Sequence, residues 1–335
     1  MKKSIALLLL IVVSVQAQTI IGIGMLPGST SSYAYGVSGD GSTVVGVSDM
    51  MAFRWTTGSG IQDLGKLTGA SSLAAAYAAN YDGSIIVGED CTKSQSRAFK
   101  WSQLSGMEAL DVSSSSGPGF YTWASGISSN GLSISGNSSL YSLNWGAPSY
   151  SLSVGQPGSL SFGISGNGQV TVGALYDRIY KWSTIDGAQD LGDGYARGAN
   201  YDGSVIVGSS GENAFRWDES GGLLQIIGSG QASSTSADGS IVVGYDSASA
   251  FAWTTNDGRK DLSQYLSDLG VDVSGWSLEK AEGISYDGST IVGQGVFNGT
   301  RQAFVAMIPE PSSLSLFLAG GALLLGLRKT SKNKI

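Results

Sequence analysis

The sequence predicts an all-β fold: a seven-bladed β-propeller of four-stranded blades closed by an N-terminal strand, followed by one C-terminal transmembrane helix. Its main signal is a phrase of Asp/Asn-Gly, a small polar residue, aliphatic residues and then Gly. The seven copies have their Asp or Asn at Asp40, Asp82, Asn130, Asn167, Asp202, Asp238 and Asp287. Successive copies lie 35 to 49 residues apart. Units of this length bury their apolar faces only against their neighbours, which indicates a repeat architecture.

Each Asp/Asn-Gly pair between β-branched runs predicts a hairpin, and we expect a type I′ turn with positive φ at both central residues. A second pattern follows it, an aromatic strand ending in Trp. These tryptophans are Trp55, Trp101, Trp145, Trp182, Trp217 and Trp253. Because they recur in step with the turns, we expect them to pack between blades. Four short strands in about 40 residues match one propeller blade.

The ends of the repeat region are complementary. The seventh unit stops at Met307 without a fourth strand, and residues 20–26 resemble a strand that has no blade of its own. If that strand completes the last blade, the ring closes and no open sheet edge remains. An open β-solenoid is the alternative. Helical spacing of apolar residues occurs at 262–269, where we expect one short helix.

Composition excludes several classes of function. The chain has no His, which removes the commonest general base and metal ligand. Cys91 is the one cysteine, and we expect an inert thiol in the second blade rather than a reactive or intermolecular one. One carboxylate per turn is too few for calcium, so we expect no metal site. We also expect no cofactor, and we nominate no catalytic residue. Residues 18–308 contain 13 basic and 25 acidic residues, and their net charge near −12 disfavours nucleic acid as a partner.

The two terminal segments indicate export. Lys2 and Lys3 precede an apolar run and a small-residue pattern, so residues 1–17 are interpreted as a signal peptide cleaved between Ala17 and Gln18. Residues 18–308 form the repeat domain. Residues 309–335 contain two prolines, an apolar run at 314–327 and a basic end, the charge pattern of a membrane span. The alternative is a hydrophobic helix that packs on the domain.

The tail resembles the PEP-CTERM sorting signal of Gram-negative bacteria. Pro309, Glu310 and Pro311 match its motif, and the apolar run with Arg328 and Lys329 matches its helix and basic end. The resemblance implies that an exosortase-type sorting enzyme and the secretion machinery are partners. It also implies association with the cell envelope, exopolysaccharide and biofilm, with either retention at the surface or release to the matrix. The same tail is also called an ice-binding protein C-terminal domain, a label that gives no reason to expect ice binding.

Residues 20–307 resemble the extracellular HAF repeat, named after a His-Ala-Phe triplet. Five aromatic strands carry the Ala-Phe pair, at Ala52-Phe53, Ala98-Phe99, Ala214-Phe215, Ala250-Phe251 and Ala303-Phe304. None has the His. The resemblance implies an extracellular repeat protein without an established activity.

Two irregular insertions are candidates for ligand contact, since function concentrates in loops. Residues 113–123 contain Phe120, Tyr121 and Trp123, and residues 271–282 contain Trp276. These aromatic side chains could stack on sugars, or they could be buried against a blade. Carboxylates outside the turns are Asp177, Asp186, Asp218 and Glu219, and the sequence does not bring any two of them together.

Three functions follow from these observations. The first is a structural, adhesive or binding module of the cell surface or matrix, with membrane attachment through the C-terminal helix and no enzymatic activity. The second is a glycan-binding propeller, with extracellular polysaccharide as the partner. The third is a polysaccharide hydrolase or lyase, which needs two carboxyl groups that face each other across the channel.

Overall fold

The structure is a computed structural model that describes residues 19–67, 72–92, 95–110, 121–139, 142–146, 151–153, 158–222 and 224–308. These residues form seven four-stranded antiparallel sheets, as predicted. The first strand is β1 (Thr19–Gly22). Blade 1 follows with β2 (Ser32–Val37), β3 (Thr43–Ser48), β4 (Met51–Thr56) and β5 (Gly60–Asp63). Blade 2 consists of β6 (Leu73–Ala79), β7 (Ile85–Cys91), β8 (Ser96–Ser102) and β9 (Gly106–Ala109).

The remaining blades repeat this order. Blade 3 consists of β10 (Thr122–Ile127), β11 (Ser133–Ser138), β12 (Ser142–Gly146) and β13 (Ser151–Ser153). Blade 4 consists of β14 (Ser159–Ile164), β15 (Val170–Leu175), β16 (Arg178–Ser183) and β17 (Gly187–Asp193). Blade 5 consists of β18 (Tyr195–Ala199), β19 (Val205–Ser210), β20 (Asn213–Asp218) and β21 (Leu224–Ser229). Blade 6 consists of β22 (Gln231–Thr235), β23 (Ile241–Tyr245), β24 (Ala250–Thr254) and β25 (Gly258–Asp261).

Blade 7 consists of β26 (Trp276–Ile284), β27 (Thr290–Phe297), β28 (Thr300–Met307) and, as its fourth strand, β1. The pairing of β1 with β28 runs antiparallel from Thr19 opposite Met307 to Gly22 opposite Phe304. The N–H of Ile23 adds one more hydrogen bond, to the Ala303 carbonyl at 3.0 Å. The predicted ring closure is therefore confirmed. The second strand of every blade packs against the first strand of the next, and β27 contacts β2.

The single described helix, α1 (Leu262–Asp268), lies where helical spacing predicted it. The Asp261 carboxylate caps its first turn by accepting from the N–H of Ser263, and Leu262 and Leu266 are buried in blade 6 and blade 7 packing. Within the described part of the chain, no helix is long and apolar enough to cross a membrane. The apolar run at 314–327, like the sorting motif and the signal-peptide cleavage position, lies outside the described residues.

The Asp/Asn-Gly pairs do form hairpins, but the predicted type I′ geometry is wrong. In the first copy the Gly41 N–H bonds to the Ser38 carbonyl, and Gly41 has φ 73° whereas Asp40 has no positive φ. This is a type I turn followed by a left-handed glycine. Asp40 is needed for its side chain, which accepts from the Ser42 N–H at 2.9 Å and the Ser38 hydroxyl at 2.6 Å. Asn130 and Asn167 accept in the same way, which explains why Asn replaces Asp.

The seven turns bond to one another around the propeller axis. The Tyr286 N–H donates to the Gly39 carbonyl at 2.9 Å, and the Asp40 N–H donates to the Tyr81 carbonyl at 2.9 Å. Tyr81, Ser129, Gly166, Tyr201 and Ala237 continue the circle back to Tyr286. One end of the propeller is therefore a continuous ring of backbone hydrogen bonds, which we call the turn ring.

The glycine that ends each repeated phrase has a steric cause. A Cβ atom on Gly46 would lie 1.9 Å from the Tyr33 carbonyl oxygen on the neighbouring inner strand. The same contact lies within 2.2 Å at the equivalent glycines, which are Gly88, Gly136, Gly173, Gly208, Gly244 and Gly293. No side chain fits there, so the second strand of each blade accepts only Gly at this point.

Aromatic side chains fill the spaces between blades, as predicted for the tryptophans. Trp55 of blade 1 packs with Val292 and Val305 of blade 7, and Phe53 and Phe304 are fully buried. Five of the six repeated tryptophans are buried, and Trp182 is half-buried. The core is therefore a series of similar clusters between neighbouring blades rather than one central core.

Replacing Ile20 by Ala tests the closing strand. Ile20 is buried between β28 and the blade 6 side of the ring, so the substitution should lower the free energy of unfolding by about 2–4 kcal/mol. Ile226→Ala is the matched control, because Ile226 is 50% exposed on an outer strand and should change it by less than about 0.5 kcal/mol. Urea denaturation measures both. Equal effects of the two substitutions would contradict a structural role for β1.

Candidate functional site

Every inner strand carries a β-bulge at the same place in the repeat. The pairing of the first and second strands skips one residue at this place in each blade, for example between Ala34 and Gly36, and blade 7 skips Glu279 as well. The skipped residues, here called the bulge residues, are Tyr35, Tyr77, Ser125, Phe162, Arg197, Ser233 and Glu282. Bulges re-aim side chains, and all seven bulge residues line one central cavity.

The cavity has a volume of about 640 Å³ and follows the propeller axis. Trp123 and Gln231 lie towards the end opposite the turn ring, which we call the mouth. The bulge residues form the middle of the cavity. Below them is a band of small and mostly apolar side chains, here called the neck, namely Val37, Ala79, Ile127, Ile164, Ala199, Thr235 and Ile284. Tyr286 lies at the bottom, in the turn ring.

One side of the cavity is aromatic. The rings of Tyr35 and Tyr77 in neighbouring blades lie with centroids 5.4 Å apart, and Trp123 follows in blade 3. The Tyr77 hydroxyl donates to Glu89, whose other carboxylate oxygen accepts from the Ser96 hydroxyl at 2.8 Å. Burial raises the pKa of Tyr77, and the nearby Glu89 carboxylate raises it further. Tyr77 is therefore a fixed neutral donor that holds Glu89 in the cavity wall.

The opposite side is polar and charged. The Arg197 guanidinium lies 4.4 Å from the centroid of the Phe162 ring, a cation–π contact that fixes its plane. Its Nε atom is buried and has no hydrogen-bond partner among the described residues. A buried donor without a partner is costly, so the Nε–H of Arg197 is an unsatisfied polar group in the cavity wall.

Glu282 is the bulge residue of blade 7. Burial raises the pKa of its carboxyl group, and the positive charges of Lys280 and Arg197 oppose that rise. The carboxyl group also contributes to a raised pKa of Tyr35 in blade 1, for which burial is the larger cause. Glu282 and Glu89 bring two carboxyl groups into one cavity, and both are combined there with hydroxyl and aromatic groups.

The predicted ligand-contact aromatics separate in the structure. Trp123 lines the cavity, whereas Tyr121 is 44% exposed outside it. Trp276 packs on Phe297 at 4.9 Å and on Phe304 at 6.0 Å between ring centroids, so it covers the side of blade 7. Phe120 lies outside the described residues. Of the three candidates that are described, Trp123 alone is placed where a ligand in the cavity would meet it.

The carboxylates proposed from the sequence lie outside the cavity. Glu219 pairs with the buried Lys181 at 2.9 Å, and Asp218 pairs with Arg216 at 2.9 Å. Asp186 accepts from the Ser183 hydroxyl, and Asp177 accepts from the Tyr195 hydroxyl. Cys91 is half-buried in blade 2, and burial raises the pKa of its thiol. Among the described residues, no group of three or more acidic or thiol side chains could hold a metal ion.

The bulge residues were missed in the sequence although a signal was present. Each lies five residues before the repeated Asp or Asn, and this position contains Tyr, Tyr, Ser, Phe, Arg, Ser and Glu. The positions around it keep small or aliphatic residues in most copies. Chemical variety at one fixed place in an otherwise regular repeat indicates a position that packing does not decide.

Comparisons with known proteins add the fold and no function. No family model and no curated protein matches the chain. Among solved structures, a chain from "Crystal Structure of Mitotic Checkpoint Complex" has a TM-score of 0.57 at 10% sequence identity. The match covers 87% of this chain and 95% of that one. At this identity it shows a shared fold alone.

Glu282→Gln tests the buried carboxyl group. From about pH 4.3 up to the raised pKa of Glu282, the folded wild-type protein holds a proton that the unfolded chain has lost. The free energy of unfolding of the wild type should therefore fall as pH rises across this interval. Gln cannot ionise. The stability of the variant relative to wild type should therefore increase with pH across that interval, as measured by urea denaturation at several pH values. A constant difference would show that Glu282 ionises freely.

Proposed function

We propose that this protein is an exported binding module of the cell surface or exopolysaccharide matrix, and that its central cavity binds a saccharide. The observation that carries the proposal is the ring of bulge residues. Seven blades each direct one side chain to the axis, and those side chains are aromatic, hydroxyl, guanidinium and carboxyl groups. Packing gives no reason for this mixture, whereas ligand pockets combine apolar walls with a few convergent polar groups.

The chemistry of the walls favours a sugar. Tyr35, Tyr77 and Trp123 offer ring faces to the apolar C–H faces of a pyranose. The guanidinium group of Arg197 and the carboxyl group of Glu282, which line the other side, suit sugar hydroxyls. A neutral saccharide fits better than a polyanion, because the domain has a net charge near −12 and would repel it.

The terminal segments support a surface location. We propose that residues 1–17 direct export and that residues 309–335 act as a PEP-CTERM-type sorting signal read by an exosortase-type enzyme, with a membrane helix at 314–327. Met307 pairs with Thr290, two residues after the last turn, and the Ile308 N–H donates to the Ser289 carbonyl at 2.7 Å. The described chain therefore ends at the turn ring. An anchor attached there would direct the mouth away from the membrane.

Replacing Trp123 by Ala tests saccharide binding. The wild-type protein should bind one or more members of a glycan array that includes neutral bacterial polysaccharides, and Trp123→Ala should weaken that binding at least tenfold by removing a stacking face. Tyr121→Ala is the matched control, because Tyr121 comes from the same insertion but lies outside the cavity. It should bind like wild type. No binding to the array would leave only the structural or adhesive function.

Deleting residues 309–335 tests the proposed anchor. The truncated protein should move from the envelope to the culture medium, as measured by immunoblotting of cell and medium fractions. Full-length Trp123→Ala is the control, since it keeps the tail and should stay in the envelope even if saccharide binding is lost. A truncated protein that stays at the surface unchanged would contradict sorting through the tail.

A polysaccharide hydrolase or lyase is the second candidate. One observation favours it: Glu89 and Glu282 line the same cavity, and burial keeps the Glu282 carboxyl protonated to higher pH. Release of new reducing or unsaturated ends from a bound polysaccharide, abolished by Glu282→Gln, would identify an enzyme. Binding without such release would leave a binding module.

A further inference from the structure

The cavity is closed at the turn ring by tyrosine side chains. Tyr286 belongs to blade 7, yet its hydroxyl oxygen lies 2.9 Å from where a Cβ on Gly166 of blade 4 would be. Blade 4 is on the far side of the ring, so the Tyr286 side chain spans the axis. Its burial is extensive enough to raise the pKa of the phenol to about 12.

Two further rings complete this closure. Tyr81 and Tyr201 lie with ring centroids 6.0 Å and 5.9 Å from that of Tyr286. Each occupies the second position of its turn, where Gly39 and Gly166 leave the space. A Cβ on Gly39 would lie 2.6 Å from the Tyr81 ring, and one on Gly166 would lie 2.6 Å from the Tyr201 ring. The three tyrosines, here called the plug, therefore lie together across the middle of the turn ring, with Tyr81 and Tyr201 48% and 46% exposed.

The geometry of the plug makes the cavity a blind pocket. A ligand enters at the mouth, passes the bulge residues and meets the apolar neck and then Tyr286. The side walls are continuous, because each inner strand packs against the blades on both sides of it. Among the described residues, Tyr286 lies across the axis below the neck and obstructs a polymer that would pass through. A sugar in the interior of a chain is linked to further sugars on both sides, so it needs a groove or a tunnel. A pocket that is closed at one end accepts the end of a chain.

We propose that the pocket recognises the end of a saccharide chain and not its interior. This rests on the proposed function, since it assumes that the ligand is a saccharide. The terminal sugar lies among the bulge residues. A C–H face of its ring lies against Tyr35, Tyr77 or Trp123, and its hydroxyl groups point towards Arg197 and Glu282. The rest of the chain leaves through the mouth. The fraction of protein that is bound then depends on the molar concentration of chain ends rather than on the mass concentration of polysaccharide.

Shortening the ligand tests this directly. The probes are the exopolysaccharide purified from the cells that produce the protein and the same preparation after mild acid hydrolysis. Hydrolysis to about one-hundredth of the original length raises the concentration of ends about a hundredfold. If ends are bound, the sugar mass concentration at half-saturation should fall by about the same factor. Isothermal titration calorimetry of the full-length protein measures the half-saturation concentration for each preparation. Borohydride reduction of the hydrolysate changes the reducing ends alone, so loss of binding after reduction would identify the reducing end as the one that is bound.

The outcomes are distinguishable. Equal half-saturation by mass for the long and short preparations would mean that chain interiors bind, which overturns end recognition but keeps saccharide binding. Absence of heat with both preparations would remove the proposed saccharide function as well. Trp123→Ala is the control for place: it should lose binding to both preparations. Full binding of the hydrolysate by Trp123→Ala would put the ends outside the pocket and would also overturn the proposal.

Discussion

Closure of the ring by β1 on β28 is the constraint on which the other features depend. A linear array of seven units would leave the apolar face of each terminal blade uncovered, and the turn ring and the cavity exist only if blade 7 meets blade 1. The pairing of Thr19 with Met307 brings residues almost 290 positions apart into one sheet. Contacts of such sequence separation are expensive in loop-closure entropy, so the ring forms through the sum of many similar blade interfaces.

The repeated phrase and the turn around it have three structural roles within nine residues, 38–46 in the first copy. Its Asp or Asn caps the turn, its turn backbone joins the turn ring, and its final glycine lets the inner strand come close. The bulge lies just before the turn and releases one side chain per blade from packing. Because the frame is held by these backbone features, the bulge residues can vary chemically while each blade keeps its shape.

The architecture could be predicted from the sequence alone because the turns and aromatic strands recur at regular intervals along the chain. The number of blades, the four-strand unit, the closing strand and the short helix follow from spacing. Two features did not follow. The turn type depends on which residue takes positive φ, and Asp-Gly is compatible with more than one answer. The cavity depends on side chains from seven distant segments, such as Tyr35 and Arg197, whose convergence only the closed ring brings about.

The ends of the cavity differ for a reason that periodicity hides. Position two of the turns contains Gly39, Tyr81, Ser129, Gly166, Tyr201, Ala237 and Tyr286. Seven tyrosines could not fit round the axis, because even a Cβ at Gly39 or Gly166 would clash with the rings already there. Three tyrosines and four small residues therefore share the space around the axis at this end of the propeller. This combination of large and small residues makes the turn-ring end of the cavity differ from the mouth, although the seven blades are similar to one another.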